Sequence, residues 1–309
     1  MRKIPAALAV LGLVTVGLAG CSLPGSSDCS RSVSDSEVLG LIEVTGSTDA
    51  VPDVDVYTPF HTADTEFADV EQGDGTVIAS ADQLIVIDVT LVSGQTGRTL
   101  IATPYDGDLS RVFPASQWTQ TFPVFEDALA CAAEGSRVVV ALAPGDVEAE
   151  TAASVGLGEG ESAIAVVDVR KVYLAAADGA LQFNSGGGLP AVVRAPDGRP
   201  GLIIPDGAPP SDIVVQTIKK GGGPVIEGDL PVRAHILGVS WDDKEQIKTT
   251  WDSQPESFML ASDPILGDAL AGQTVGSQVM VVFPVEESGT DQATVFVLDI
   301  LGLDAAPAQ

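Results

Sequence analysis

Residues 267–283 read GDALAGQTVGSQVMVVF, and residues 126–142 read EDALACAAEGSRVVVAL. Laid over each other without a gap, the two stretches share Asp-Ala-Leu-Ala, then Gly-Ser, then valines at alternate positions. The first part of each stretch predicts a short helix with an apolar underside. The alternate valines predict a strand with a buried face. The chain therefore carries one helix–turn–strand segment twice.

The surroundings of this segment follow the same order in both halves of the chain. Residues 38–174 form short runs rich in β-branched residues, and only 124–133 has helical spacing. Residues 211–303 give strand, turn, strand, polar loop, short helix, strand, loop and strand. The repeat indicates a duplicated domain of roughly a hundred residues, because its period is too long for a solenoid unit.

The segment between the two blocks has a different composition. Residues 176–208 are rich in Gly and Pro, with three consecutive glycines at 186–188. Such a composition is typical of a linker or of an extended arm laid on a neighbour, and the sequence leaves both open. We expect one domain over 37–175 and a second over 209–305.

The overall composition is that of an acidic globular protein. Of 309 residues, 45% are hydrophobic and 19% are charged. The 15 Lys and Arg against 43 Asp and Glu give a formal net charge of −28. Because binding to polyphosphate needs clustered cations, this charge argues against a nucleic-acid partner.

The start of the chain predicts export and lipidation. Residues 1–20 combine two basic residues with an apolar run, and Leu-Ala-Gly stands directly before Cys21, which matches the bacterial lipobox. We expect 1–20 to be a signal peptide and 21–36 a tether lipidated at Cys21, on the outer face of the cell membrane. The alternatives are a plain secretory signal or a short anchor, although the apolar run is short for a span.

Two cysteines remain after Cys21, namely Cys29 and Cys131. In an exported chain, two cysteines favour one disulfide over two isolated thiols. Such a bridge would join the tether to the first domain.

Three stretches of the second block carry a resemblance to a known family. They are IVVQTIKKGGGPVIEGD, AHILGVSWDDKEQIKTTWD and ATVFVLDILG, and the helix–turn–strand segment lies between the last two. Residues 211–303 resemble the FKBP-type peptidyl-prolyl isomerase domain, and the first block resembles it more weakly. The resemblance implies an α+β fold: two half-open antiparallel sheets, each wrapped over one short helix and joined by the Gly/Pro-rich arm. The tandem arrangement behind a lipobox resembles exported bacterial FKBP-type lipoproteins.

The resemblance also implies a substrate pocket in the second block. Seven residues match pocket positions of the family: Ile236, Ile247, Phe258, Asp263, Leu266, Phe296 and Leu298. Asp263 matches the position whose backbone N–H meets the substrate, and Leu266 replaces the usual aromatic floor. Ile236 and Ile247 stand where the family has Tyr and Phe.

The first block matches the same positions less completely. Phe125 falls at the pocket floor, Phe122 at the backbone-donor position, and Val89 at the Tyr position. The loop over 145–162, which in the family commonly brings a second Tyr over the pocket, contains no aromatic residue. By this comparison the second block is the better candidate for activity.

The expected function is peptidyl-prolyl isomerisation on Xaa-Pro segments of exported polypeptides. The alternative is a binding or chaperone lipoprotein that keeps the fold without catalysis. Neither needs a cofactor, because rotation about the Xaa-Pro bond requires no nucleophile or metal. His61 and His235 are the only histidines and lie in different blocks, so no metal site is predicted.

Overall fold

The computed structural model describes Cys29, Arg31 and residues 37–184, 186–262 and 264–306, with the side chains of 264 and 265 excepted. Most of this chain is antiparallel sheet with few and short helices, as the sequence predicts. The proposed signal peptide, Cys21 and most of the tether lie outside the described residues. Within the described part, no helix combines the length and apolar character that crossing a bilayer requires.

The first sheet has six strands. They are β3 (Glu66–Glu71), β4 (Leu84–Ser93), β5 (Thr99–Ala102), β6 (Phe113–Pro114), β7 (Arg137–Leu142) and β8 (Ala163–Val172). Their order is β3-β7-β8-β4-β5, and β6 pairs with β4. A hairpin precedes the sheet, made of β1 (Ile42–Thr45) and β2 (Asp53–Val56).

The second sheet repeats this topology. It contains β9 (Ala180–Leu181), β12 (Val214–Lys220), β13 (Val232–Ser240), β14 (Gln246–Thr249), β15 (Glu256–Phe258), β16 (Gln278–Phe283) and β17 (Thr294–Leu303). The order is β14-β13-β17-β16-β12-β9, with β15 beside β13. Without β9 at the edge, the order matches the first sheet strand for strand. A hairpin of β10 (Ala191–Arg194) and β11 (Pro200–Ile203) precedes β12.

Four α-helices connect the strands within the described residues. They are α1 (Ala115–Thr121), α2 (Phe125–Leu129), α3 (Ala149–Val155) and α4 (Pro264–Leu270). The shared segment forms α2 and α4, each followed by a turn and a buried strand. The expectation of one helix in the first block is wrong, because α1 and α3 are also present. Each has only seven residues, so neither gives the sustained apolar period that marks a longer helix.

Each sheet is covered on both faces. Side chains around α2 fill the concave face of the first sheet, and those around α4 fill the concave face of the second. The first hairpin packs its valines against the outer face of the first sheet. The second hairpin, with Val192 and Leu202, packs on the outer face of the second sheet. Residues 191–203 of the Gly/Pro-rich segment therefore dock on the second sheet.

Candidate functional site

An apolar cavity of about 290 Å³ lies over the first sheet, at the start of α2. Three aromatic side chains form its walls and floor: Trp118 on α1, Phe122 after it, and Phe125 as the first residue of α2. Phe122 and Phe125 pack with their ring centroids 5.1 Å apart. Phe125 is 1% exposed, so the floor is fixed by the core beneath it. The volume lies just below the range of about 300–1,000 Å³ that is usual for small-molecule pockets.

The remaining wall comes from aliphatic side chains of the concave face. Val89, Leu91, Leu142 and Ala165 line the cavity from β4, β7 and β8. Their placement follows from the strand period of two, which points alternate residues into the concavity. No lining residue carries a formal charge, so a ligand here must be mainly apolar.

The free volume of this cavity depends on the sizes of two residues that pair across neighbouring strands. Leu91 on β4 pairs with Ala165 on β8, and the same position of the second sheet pairs Gly238 with Phe296. The first sheet therefore has the larger residue of this pair on β4 and the smaller on β8, whereas the second sheet has the smaller on β13 and the larger on β17. The ring of Phe296 lies over Gly238, where an added Cβ would come within 2.7 Å of the ring. Phe296 also packs edge-on against Phe283, with 5.7 Å between centroids.

The backbone donor that the resemblance assigns to the first block is already engaged. The N–H of Phe122 donates to the carbonyl oxygen of Trp118 at 2.8 Å, because α1 ends there and its last turn needs a donor. The N–H of Phe125 donates to the carbonyl of Phe122 at 2.9 Å. Both main-chain donors at the start of α2 are thus used within the protein.

The residues expected to form the second pocket mostly lie together. Ile236 and Leu298 are buried, and Phe258, Leu266 and Phe296 are half-buried in the same core cluster. Ile247 is 47% exposed on the edge strand β14. Asp263 lies outside the described residues. The role of these residues in binding or catalysis stays a prediction.

A disulfide between Cys29 and Cys131 is present, as the sequence predicts, with 5.4 Å between the Cα atoms. Cys131 lies two residues after the end of α2, so the bridge joins Cys29 to the turn behind the helix that carries the cavity floor. Arg31 reinforces this junction, since its guanidinium donates to the carbonyl of Ala128 and pairs with the carboxylate of Asp69. Sequence reasoning did not find Arg31.

Both histidines contact neighbouring side chains, and the Nδ1 of His61 lies 3.3 Å from the hydroxyl oxygen of Ser162. His235 stacks on Trp251 at 4.2 Å between ring centroids, and its Nδ1 lies 2.9 Å from the hydroxyl oxygen of Thr250. Burial and the nearby Arg199 lower the pKa of His235 to about 4. Across the described residues, no group of three or more His, Cys, Asp and Glu side chains is arranged to hold a metal ion.

Comparison with known proteins identifies one related sequence and several similar structures. No family model matches the chain. An FK506-binding protein of Streptomyces anulatus is 27% identical over 90 residues, which cover 28% of this chain and 73% of that protein. The sequence similarity supports an FKBP-type relationship for the part of the chain that it covers.

Among solved structures, the three FKBP domains of wheat FKBP73 match 77% of this chain and 94% of that one. The identity is 10% and the TM-score 0.30. FkpA from Escherichia coli matches 40% of this chain and 55% of its own, at 19% identity and a TM-score of 0.29.

Proposed function

We propose that the chain is an FKBP-type peptidyl-prolyl cis-trans isomerase, and that the cavity over Phe125 receives the proline ring of Xaa-Pro segments. The observation that carries this proposal is the cavity itself, an uncharged hollow with Trp118, Phe122 and Phe125 around it. Rotation about the Xaa-Pro bond faces a barrier of about 18–20 kcal/mol, because the amide loses its resonance. An apolar site favours the twisted amide, whose charge separation is smaller than that of the planar form.

A second function is favoured by one specific contact. The N–H of Phe122 is bonded to Trp118, so no main-chain donor at that position is available to a twisted carbonyl. A pocket of this kind still binds an apolar or proline-containing segment. The alternative is therefore a catalytically inactive binding or chaperone module with the same ligand class.

We propose a second candidate pocket on the second sheet. Its residues would be those that the family resemblance selects: Ile236, Ile247, Phe258, Asp263, Leu266, Phe296 and Leu298. Support comes from the shared cluster around Leu266 and from the same strand order in both sheets.

We further propose that the chain is anchored through acylated Cys21 to the outer face of a bacterial membrane and acts on exported polypeptides. The lipobox sequence and the disulfide support this setting, since disulfides persist in oxidising compartments. Folding of exported chains includes slow proline steps, which take tens to hundreds of seconds when uncatalysed.

The test is a protease-coupled isomerisation assay with a Leu-Pro tetrapeptide anilide. The wild-type chain is compared with Phe125→Ala, Leu266→Ala and the control Phe183→Ala, whose side chain is 94% exposed. Loss of rate in Phe125→Ala alone supports the first cavity, and loss in Leu266→Ala alone moves the activity to the second sheet. A wild-type rate at background, with binding retained in calorimetry, supports the inactive module instead.

A further inference from the structure

The cavity over the first sheet has few polar groups that a ligand carbonyl could meet. The main-chain N–H groups of Phe122 and Phe125 are both engaged inside the protein. The hydroxyl of Thr103, at the rim, donates to the carboxylate of Asp88 at 2.6 Å and accepts from the N–H of Val89 at 3.0 Å. A ligand could therefore bind to any of these three groups only by breaking an existing hydrogen bond.

Two further polar side chains line the same cavity. The indole N–H of Trp118 is enclosed and has no hydrogen-bond partner among the described residues, so a ligand reaches it only if the ring turns. Thr151 lies on α3, is half-buried, and its hydroxyl makes no hydrogen bond within the described residues. A hydroxyl can rotate to donate, whereas the indole N–H is fixed by the ring. Thr151 is thus the lining residue with an open donor.

The position of Thr151 follows from α3. This helix spans 149–155 and ends at Gly156, which has a φ of 81° and accepts the left-handed conformation of a helix end. Ala152 and Val155 pack against the core of the first sheet, which holds the helix beside the cavity. The helix therefore presents Thr151 from a fixed element rather than from a free loop.

We propose that the Thr151 hydroxyl donates a hydrogen bond to a carbonyl oxygen of a bound Xaa-Pro segment and so positions it over Phe125. The inference rests on the proposed use of this cavity. Such a hydrogen bond supplies the donor that the engaged N–H of Phe122 does not. A neutral hydrogen bond of this kind changes affinity by about two- to tenfold.

The experiment compares Thr151→Val, Thr151→Ser and wild type in calorimetric titration with the Leu-Pro tetrapeptide, alongside the isomerisation assay. Valine keeps the shape and removes the donor, whereas serine keeps the donor. Ser154→Ala is the control for the helix, because Ser154 lies exposed on α3 and is not a lining residue. Its hydroxyl donates to the carbonyl of Thr151 at 2.7 Å, so this variant reports effects that pass through the helix backbone alone. Thermal unfolding of each variant confirms that α3 is intact.

We expect Thr151→Val to raise the Kd or KM by about two- to tenfold, with Thr151→Ser and Ser154→Ala close to wild type. Equal affinity of Thr151→Val and wild type, in a chain that binds the peptide through Phe125, would overturn the role of Thr151 and leave the proposed function standing. A wild-type chain that neither binds nor turns over the peptide would overturn both. Equal losses in the valine and serine variants would assign Thr151 to packing and also refute the proposal.

Discussion

Arg137 on β7 and Asp168 on β8 form a buried, two-pronged ion pair, with Nε–Oδ1 at 2.7 Å and Nη2–Oδ2 at 2.9 Å. The two residues are 2% and 0% exposed. Arg137 also donates to the carbonyls of Gly46 and Ser47 in the turn of the first hairpin. One guanidinium therefore joins the sheet to the hairpin that covers it. In the second sheet Gln278 replaces the arginine and donates to Asp299 at 2.6 Å.

Substitution of Arg137 should destabilise the protein strongly. Arg137→Met leaves Asp168 as a buried carboxylate without its cation, and breaking such a pair costs about 3–5 kcal/mol. The free energy of unfolding is measured by urea denaturation. Lys248→Met is the control, since the pair Lys248–Glu256 is exposed and should contribute less than about 1 kcal/mol. Similar losses in the two variants would contradict this view of the Arg137 pair.

Filling the cavity should abolish ligand binding without unfolding the chain. Ala165→Phe copies the residue of the second sheet at this position, but Leu91 stands opposite instead of a glycine. We expect at least a tenfold loss of peptide affinity and a stability cost of about 1–3 kcal/mol from overpacking. The double variant Leu91→Gly/Ala165→Phe, which restores the pairing of the second sheet, should still not bind. Unchanged affinity in Ala165→Phe would show that the ligand binds elsewhere.

Removal of the disulfide should lower stability through the unfolded state. The bridge closes a loop of 102 residues, for which the chain-entropy model gives about 4.7 kcal/mol. Cys29→Ser/Cys131→Ser should therefore unfold at a clearly lower urea concentration than the oxidised wild type. The reduced wild type is the matched control and should resemble the double variant. Equal midpoints for all three proteins would argue against the bridge in solution.

The second sheet should lose stability as the pH falls below the ordinary range of histidine. The folded pKa of His235 is about 4, below the ordinary histidine value of 6.5, so the fold favours the neutral ring. The stability that this gives is complete above pH 6.5 and is lost as the pH falls towards 4. The difference in the free energy of unfolding between wild type and His235→Gln should shrink by roughly 1–2 kcal/mol over that interval. This figure is discounted for the partial exposure of the ring. A difference independent of pH would refute the burial of a neutral imidazole.

The proposed lipid anchor has a direct test in cells. Cys21→Ser removes the thiol that lipidation needs, so the protein should move from the membrane fraction to the soluble exported fraction. Membrane fractionation with an antibody against the folded part measures this. Cys29→Ser, which leaves the lipobox intact, should stay in the membrane fraction. Membrane retention of Cys21→Ser would contradict the lipoprotein proposal.

Much of the fold could be predicted from the sequence because it depends on local patterns. The alternate valines 138 and 140, and again 279 and 281, specify buried strands, and the shared segment marks α2 and α4. The pairing of Cys29 with Cys131 followed from the number of cysteines and from the expectation that the chain is exported. By contrast, α1 and α3 are short, and their helical conformation depends on packing against the sheet.

The candidate site was harder to predict for a physical reason. Ala165 resembles any core alanine until the register shows Leu91 opposite it and an aromatic pair at the same place in the second sheet. Likewise, the Phe122 N–H is engaged only because α1 ends at that point. The sequence favoured the second block for activity, whereas the cavity described here lies over the first. The space beside Ala165 depends on its cross-strand neighbour, and the state of the Phe122 N–H depends on a helix end. A linear sequence motif specifies neither of them.

The bridge between Cys29 and Cys131 also sets an order of events during biosynthesis. Translation proceeds from the N-terminus, so Cys29 is made about a hundred residues before its partner. During that interval the native disulfide partner of Cys29 is absent, and the other cysteine already synthesised is Cys21. The bridge cannot close until Cys131 has been made, so β1 to β6, which all precede it in the chain, are synthesised before the bridge forms.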